Sequence, residues 1–236
     1  MFRTVLLGTF ALLVGTSFAL AAPKDDAAAA AKKLADAANY SWKTTTEMGG
    51  GGQFRPGPTE GKTEKGGFTL LSITRGENTT EVVIKGDKGA FKTADGWQAA
   101  DEAAPADANQ RNPGRFLARM IQTFKAPAAQ ALDLAEKAKE LKEVEGTLAG
   151  DLTEEAVKAL MAFGRGGANA PEVKNPKGSV KFWIKDGTLL KLQFRVQGTV
   201  TFNDQDRDID RTTTTEIKDI GSTKIEVPED AKKKLP

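Results

Sequence analysis

The chain has 236 residues and a formal net charge of +2 at neutral pH, with 34 Lys and Arg against 32 Asp and Glu. It contains no cysteine and no histidine. These absences exclude disulfides, thiolate metal sites, lipid modification of a cysteine, and catalysis by a cysteine nucleophile or a histidine base. The charges are nearly balanced and interspersed, so they form no basic surface of the kind that binds nucleic acid.

Residues 1–21 have the pattern of a secretory signal peptide. Arg3 supplies a positive start, an uncharged apolar run covers 5–20, and Ala19-Leu20-Ala21 offers small residues for cleavage. The run is shorter than the roughly 20 apolar residues of a membrane-spanning helix. We therefore expect a periplasmic or secreted protein formed by residues 22–236 as a single domain, with no stable membrane insertion after cleavage.

The first part of that domain is predicted to form a helix and then an antiparallel meander. An alanine-rich segment from Asp25 to about Asn39 favours a helix, and alternation in "NYSWKTTTEM" indicates a strand. Residues 49–67 hold eight glycines and two prolines, which predicts a flexible loop. Glycine-bearing turns then separate predicted strands at 68–75, 81–85, 90–93 and from Trp97 onward.

The middle of the chain has helical periodicity. Pro113 suits the first position of a helix, and Pro127 opens a second helix. Thr153, followed by two glutamates, opens a third helix. Between the last two, "GTLAGDL" is predicted as a short strand. The apolar face of the first helix consists of Phe116, Leu117, Met120, Ile121 and Phe124.

A second predicted flexible loop, 164–178, precedes the most regular strands of the sequence. Val180, Phe182 and Ile184 share one face of the incoming strand, and Asp186-Gly187 makes a turn. Further strands are predicted at about 209–217 and 224–227, before a short C-terminal helix. In the outgoing strand, strict alternation places on one apolar face Leu190, Leu192, Phe194 and Val196.

The order of helix, strands, helices and strands predicts an α+β fold with an antiparallel sheet. A sheet with one apolar face must have that face covered, and the helices are available to cover it. Strand twist should curl such a sheet around them.

Two segments look like ligand-binding loops but lack residues that such loops require. "GPTEGKT" lacks the glycine spacing and the following helix of a phosphate-binding loop. "NDQDRDID" places Asp204, Asp206, Asp208 and Asp210 at alternate positions but lacks the glycine and glutamate of a calcium loop. We expect a solvated hairpin tip there, with weak cation binding as the alternative. No cofactor, metal site or catalytic residue is predicted, although two acids that converge in the fold could serve glycoside hydrolysis.

The tryptophans leave two interpretations open. Trp42, Trp97 and Trp183 lie on predicted strands and can serve as core residues or as the lining of an apolar cavity. Trp183 is out of phase with Phe182 and Ile184, which places it on the outer face. The candidate ligand-binding cavity is lined by Trp42, Trp97, Phe116, Met120, Phe182, Leu190, Leu192, Phe194 and Val196.

The segments "YSWKTTTE", "KTADGWQAADE", "VKFWIKDGTLLKLQFRVQG" and "TTTTEIKDIGSTKIEVPEDAKKKL" together resemble the LolA-like group of exported bacterial proteins. This group includes the lipoprotein carrier LolA, mycobacterial lipoproteins of the LppX and LprG type, and the sensor RseB. The resemblance implies a strongly curved antiparallel half-barrel, with helices on its concave side and a lipid or acyl chain held between them. Without a cysteine, the chain resembles a soluble member, and no residue matches a specific ligand contact of LolA.

Our leading hypothesis is a non-enzymatic, extracytoplasmic binder or carrier of a lipid or other apolar small molecule. An envelope protein is left open as a second partner. The alternative is an interaction, sensor or structural envelope module of the same fold whose cavity is filled by its own side chains. An enzyme would require acids or lysines with perturbed pKa values that converge in a cleft.

Overall fold

The computed structural model describes residues 22–49, 56–102, 113–162, 171–202 and 205–235. The predicted signal peptide, residues 1–21, lies outside them and stays a prediction. The helices of the described part are α1 (Pro23–Asp36), α2 (Pro113–Gln122), α3 (Pro127–Lys137), α4 (Glu154–Met161) and α5 (Glu229–Lys232). The strands are β1 (Asn39–Met48), β2 (Thr59–Glu64), β3 (Phe68–Arg75), β4 (Asn78–Lys85), β5 (Lys88–Thr93), β6 (Gly96–Ala99), β7 (Lys142–Val144), β8 (Thr147–Asp151), β9 (Glu172–Lys185), β10 (Thr188–Phe202) and β11 (Gln205–Lys218).

All the strands belong to a single 11-stranded antiparallel sheet, in the order β6-β5-β4-β3-β2-β1-β11-β10-β9-β8-β7. Consecutive strands are neighbours within each half of the sheet, β1 to β6 and β7 to β11, while β6 and β7 lie at its opposite edges. The pair of β1 with β11 joins the two halves. The sheet is curved and unclosed, so it forms a half-barrel with helices against it. The predicted α+β class and the antiparallel, curved sheet are confirmed.

Helices α1 to α4 cover the concave face of the sheet. α1 packs against α3 and β10, and α4 packs against β9 and β10. Small residues let the helices approach closely, because alanines make up most of the buried side chains of α1 and α3. Together with the inward side chains of the strands, they form one core cluster. The predicted cover of the apolar face is therefore present.

The convex face carries a second, smaller apolar cluster. It contains Val83 and Ala90 of the sheet, and Ala231 and Leu235 of the C-terminal segment, which crosses this face. The strand predicted at 224–227 is wrong, since residues 223–228 form no strand. Val227 instead packs against the second cluster. These residues thus use their apolar side chains to cover a sheet face and add no strand to the sheet.

The prediction of a loop throughout 49–67 is wrong for residues 59–64, which form β2. Thr59, Gly61 and Thr63 face the concave side, opposite Thr44, Trp42 and Tyr40 of β1. A Cβ at position 61 would overlap the Trp42 ring. Glycine, which indicates a loop in the sequence, here makes room for an aromatic ring over the strand.

The second predicted loop, 164–178, is also too long, because β9 begins at Glu172. A bulge accommodates its turn-like residues. The register with β10 shifts between the pairs Gln197↔Lys177 and Thr199↔Lys174, and Asn175 has a φ of 50°. Pro176 falls within this bulge, where a strand needs no backbone donor.

A bulge in β10 overturns the predicted position of Leu190. The register shift between Leu189 and Lys191 makes Leu190 the extra residue opposite β9. Leu189 is therefore fully buried, whereas Leu190 is 41% exposed. Alternation holds beyond the bulge, where Leu192, Phe194 and Val196 are buried as predicted. A single inserted residue changes the face that the first leucines occupy.

Candidate functional site

The protein's own side chains fill the centre of the concave face. Phe182, Leu192, Phe194 and Val196 are at most 4% exposed and belong to the main core cluster. β10, which carries three of them, lies between β9 and β11. Openings on this face therefore lie to either side of a filled strip.

One opening lies between β1, β2 and β11 and the connection from α2 to α3. We call it the Trp42 cleft, and its volume is about 260 Å³. Two residues predicted as cavity lining, Trp42 and Met120, meet there. Its lining consists of Trp42, Thr44, Thr59, Met120, Thr123, Phe124, Lys125, Pro127, Gln130 and Thr213.

Three contacts fix the Trp42 side chain at the base of this cleft. Its ring stacks on Phe124, with 6.1 Å between ring centroids and 21° between planes. Its indole Nε1 donates a hydrogen bond of 3.1 Å to the Thr63 hydroxyl. On the neighbouring strand β2, the residue opposite Trp42 is Gly61, which lets the ring lie flat on that strand. The indole is thus held as a rigid apolar wall with its polar atom satisfied.

The wall formed by β1, β2 and β11 carries the hydroxyl groups of Thr44, Thr59 and Thr213. Thr44 and Thr215 face each other across the β1–β11 pair, with 2.8 Å between their hydroxyl oxygens. Next to this wall, burial raises the pKa of the Tyr40 hydroxyl, although hydrogen bonds from the Ala128 backbone and Thr63 act in the other direction. The hydroxyl therefore stays neutral throughout the physiological range. The cleft thus combines an apolar side with hydroxyl groups and one charged side chain, Lys125, which pairs with Asp133 at 3.2 Å.

A larger opening, which we call the α1 groove, lies between α1 and the strands β7 to β9. Its volume is about 530 Å³. Leu148, Phe182 and Ile184 form its apolar floor, and Ala29 and Ala30 form its helical wall. Because alanine has the smallest apolar side chain that a helix can carry at these positions, the wall stands back from the sheet. This groove exceeds the lower limit of roughly 300 Å³ for small-molecule sites, whereas the Trp42 cleft falls slightly below it.

Charged groups lie at the rim of the α1 groove. Asp26, Lys33 and Glu143 line it, and the Lys33 ammonium donates a hydrogen bond of 3.0 Å to the backbone oxygen of Asp186. An amphiphile could therefore place an apolar chain on the floor while its polar end stays near charges and water. Such an arrangement is typical of sites for lipids and other apolar small molecules.

The carboxylates of the predicted hairpin tip lie on the outer face and have partners. Hydrogen bonds from Thr201 and then Lys174 lower the pKa of Asp206. A two-pronged contact with Arg195 lowers the pKa of Asp210. Within the described ranges no group of three or more acidic side chains could hold a metal ion. Asp204 lies outside the described residues.

Five predicted lining residues with described side chains are in neither concave opening. Leu192, Phe194 and Val196 belong to the filled strip, and Leu190 and Trp97 lie elsewhere. Leu190 is exposed because of the bulge described above. Trp97 pairs with Lys92 across β5 and β6 and packs against the convex cluster, so it lies on the face opposite Trp42. Phe116 belongs to α2, but its side chain lies outside the described part of the structure. Trp183 is on the outer face as predicted, with the Lys191 ammonium 4.5 Å from its ring centroid.

The sequence interpretation missed several lining residues. Thr44 and Thr213 lie at inward positions of regular strands, so the alternation that placed Trp42 could also have placed them. Ala29 carries no signal of this kind, since an alanine-rich helix gives no sign of which alanines border a groove. Leu148 lies in a strand of only five residues, too short for a periodic pattern.

Of the helices in the described ranges, none has the length and the apolar character required to cross a bilayer. The sequence matches no protein-family model and no curated protein.

Solved structures with a similar fold share little sequence with this chain. Lipoprotein LppX of Mycobacterium tuberculosis is 9% identical, with 87% of this chain and 98% of that chain covered and a TM-score of 0.45. LprF of Mycobacterium bovis is 10% identical, with coverage of 89% and 97% and a TM-score of 0.46. A LolA superfamily protein of Nitrosomonas europaea is 10% identical, with coverage of 88% and 96% and a TM-score of 0.34. The similarity is one of fold.

Proposed function

We propose that this protein is a non-enzymatic, extracytoplasmic binder or carrier of an apolar ligand, such as a lipid or an acyl chain. The ligand lies between the curved sheet and the helices. The observation that carries this proposal is the α1 groove, an opening of about 530 Å³ with an apolar floor. Its volume is in the range of roughly 300–1,000 Å³ that small-molecule sites occupy.

The lining of the α1 groove favours a flexible apolar chain over a polar substrate. Leu148 and Ile184 are only partly buried, so a bound chain would remove further apolar surface from water, at about 25 cal/mol per Å². The charged groups stay at the rim, where they can remain hydrated. The described carboxylates of the hairpin tip, Asp206 and Asp210, have lowered pKa values and lie on the outer face, away from the α1 groove.

The extracytoplasmic location is supported by the signal-peptide pattern of residues 1–21. Expression of the full chain in a bacterial host, followed by fractionation and N-terminal sequencing, tests it. We expect the exported form to begin at Ala22. A protein that stays in the cytoplasm with Arg3 intact would contradict the location but not the binding activity.

The binding proposal is tested with a groove-filling variant and a matched control. Ala29 is exposed and lines the groove, whereas Ala35 is exposed on α1 and does not line it. Ala29→Trp and Ala35→Trp therefore add the same side chain to the same helix at positions inside and outside the site. The titrated probe is cis-parinaric acid, a fatty acid that becomes fluorescent in apolar surroundings.

We expect the original protein and Ala35→Trp to bind the probe saturably with similar affinity. The affinity of Ala29→Trp for the probe should be lower by about tenfold or more, because an indole that occupies the groove must be displaced or repacked. Solvent extraction of the purified protein, followed by mass spectrometry, should detect an apolar compound that copurifies with the protein. Equal binding by the two variants would refute the α1 groove as the site.

A second candidate function is favoured by the filled centre of the concave face, where Phe182, Leu192, Phe194 and Val196 are at most 4% exposed. A half-barrel filled in this way would suit an interaction, sensor or structural envelope module. The same experiments separate the two functions. An empty extract together with no saturable probe binding would favour the module and exclude the carrier.

A further inference from the structure

A third opening lies on the convex face, opposite the two openings of the proposed function. This convex pocket has a volume of about 470 Å³, within the range of small-molecule sites. Leu70, Val83 and Trp97 give it an apolar floor, and Pro228 of the C-terminal segment forms part of its wall. Trp42 borders both this pocket and the Trp42 cleft, whereas the α1 groove has no lining residue in common with the pocket.

The path of the C-terminal segment explains why this pocket exists. Ala231 and Leu235 cover the apolar residues of the convex face near Val83 and Ala90. Toward β1 the sheet presents small side chains, Ser41 and Ser72, which also line the pocket. The segment therefore passes over this part of the sheet without filling the space below it. Trp97 is partly buried at the border between the covered and uncovered parts.

Most of the charges around the pocket are neutralised by neighbours. Lys43 pairs with Glu60 at 2.8 Å, and Glu81 pairs with Lys92 at 2.7 Å. Lys218 lies 3.5 Å from Glu216.

Two opposite charges are left at the pocket. Lys62 projects from β2, and Glu226 belongs to the C-terminal segment. Both are exposed, and in the part of the chain that the structure describes neither has an ion-pair partner. The pocket thus presents one ammonium and one carboxylate above an apolar floor.

We propose that the convex pocket is a second binding site, for a small zwitterion that carries an apolar side group, such as a hydrophobic dipeptide. The ligand carboxylate contacts Lys62, its ammonium contacts Glu226, and its side chains lie on Leu70 and Trp97. A purely apolar ligand would leave both charges of the site without partners. A singly charged ligand would meet attraction from one of them and repulsion from the other.

The three tryptophans of the chain report on this site separately. Trp97 lines the convex pocket, and Trp183 lies under Lys191 on the outer face of β9. Trp42 borders both the convex pocket and the cleft on the opposite face, and its indole N–H is bonded to the Thr63 hydroxyl. Nitrogen-15 labelling gives each indole N–H its own nuclear magnetic resonance signal, assigned with single Trp→Phe variants. The probe is the dipeptide leucyl-phenylalanine, and its uncharged control is N-acetyl-leucyl-phenylalanine amide.

We expect leucyl-phenylalanine to shift the Trp97 signal saturably and by more than the Trp42 signal, and to leave the Trp183 signal in place. The uncharged control should bind more weakly. Each charge reversal, Lys62→Glu or Glu226→Lys, should weaken binding about three- to tenfold, since an attraction open to water becomes a repulsion. The double reversal should recover part of the affinity, because the ligand can bind with its ends exchanged.

The matched control variant is Lys181→Glu, which reverses an exposed lysine of β9 that does not line the pocket. It should bind the dipeptide like the original protein. An unmoved Trp97 signal would overturn the site, and equal binding of the uncharged control would overturn the zwitterion class. Failure of either kind leaves the proposed carrier function intact, because fatty acid binding is measured at the α1 groove and with a different probe.

Discussion

The bulge in β10 allows a sharp test with two adjacent leucines. Leu189 is fully buried and Leu190 is 41% exposed. Leu189→Ala and Leu190→Ala remove the same atoms from neighbouring positions of one strand, so differences in composition or strand propensity cancel. Only the face that each side chain occupies differs.

The expected cost follows from burial. A fully buried leucine that is replaced by alanine loses its transfer free energy and leaves a cavity, which together cost about 2–5 kcal/mol. The exposed leucine should cost less than about 1 kcal/mol. For a domain of this size, about 3 kcal/mol lowers Tm by roughly 6–12 °C, so the two variants should differ clearly in thermal unfolding.

Urea unfolding, followed by circular dichroism and tryptophan fluorescence, measures the free energy of unfolding of each variant. The m-value should stay unchanged, which shows that the change is in stability and not in the unfolded state. A cost at Leu190 equal to or greater than that at Leu189 would refute the bulge. It would restore the strict alternation that places Leu190 on the concave face.

Three further predictions concern single positions. Gly61→Ala should cost about 1–3 kcal/mol in urea unfolding, because its Cβ would overlap the Trp42 ring; an unchanged stability would contradict the close approach. Thr153→Ala should cost about 0.5–2 kcal/mol in the same assay, since the Thr153 hydroxyl caps α4, whereas Thr153→Ser should retain most of the stability. The hydrogen bond from Arg195 lowers the pKa of Asp210 below the ordinary value of 3.8, so this carboxylate stabilises the fold above that pH and the contribution is lost as the pH falls through the lowered pKa. Asp210→Asn should therefore be less stable than the original protein at neutral pH, and the gap should narrow in acid; a gap that is independent of pH would contradict the pairing.

Local patterns in the sequence were sufficient for most of the architecture. Asp186 and Gly187 both have positive φ, 52° and 67°, as expected of the residues that form a tight hairpin turn. Thr153 caps α4 as its position before two glutamates indicates. In β1, alternation correctly places Trp42 inside. Each of these features depends on residues close together in the chain, which is why the sequence alone reveals them.

Features that depend on distant contacts could not be obtained in this way. Gly61 suits a strand only because Trp42 of the neighbouring strand needs the space. The bulge at Leu190 depends on the pairing of β10 with β9, and a strand sequence by itself does not contain its register. Trp97 lies in a strand of four residues, where alternation is too brief to identify a face.

The candidate site was predictable in kind but not in extent. An apolar inner face followed from the strand pattern, and Trp42, Met120 and Phe182 do border openings on it. The volume that remains between the helices and the sheet depends on the packing distances between them. Individual alanines and leucines in the sequence do not reveal these distances. The convex pocket had no counterpart in the sequence, because it arises where the C-terminal segment crosses strands far away in the chain.

The β1–β11 pair has a consequence for how the chain folds. The other strand pairs of the described part join consecutive strands, and the longest of their connections, from Asp151 to Glu172, contains α4. In contrast, Ser41 and Lys218 are 177 positions apart. Closing so long a segment costs about 2–3 kcal/mol more entropy than closing a hairpin of about ten residues. The two meanders should therefore assemble first and dock late along one line. A chain cut in the connection between them could reassociate from two separately made fragments.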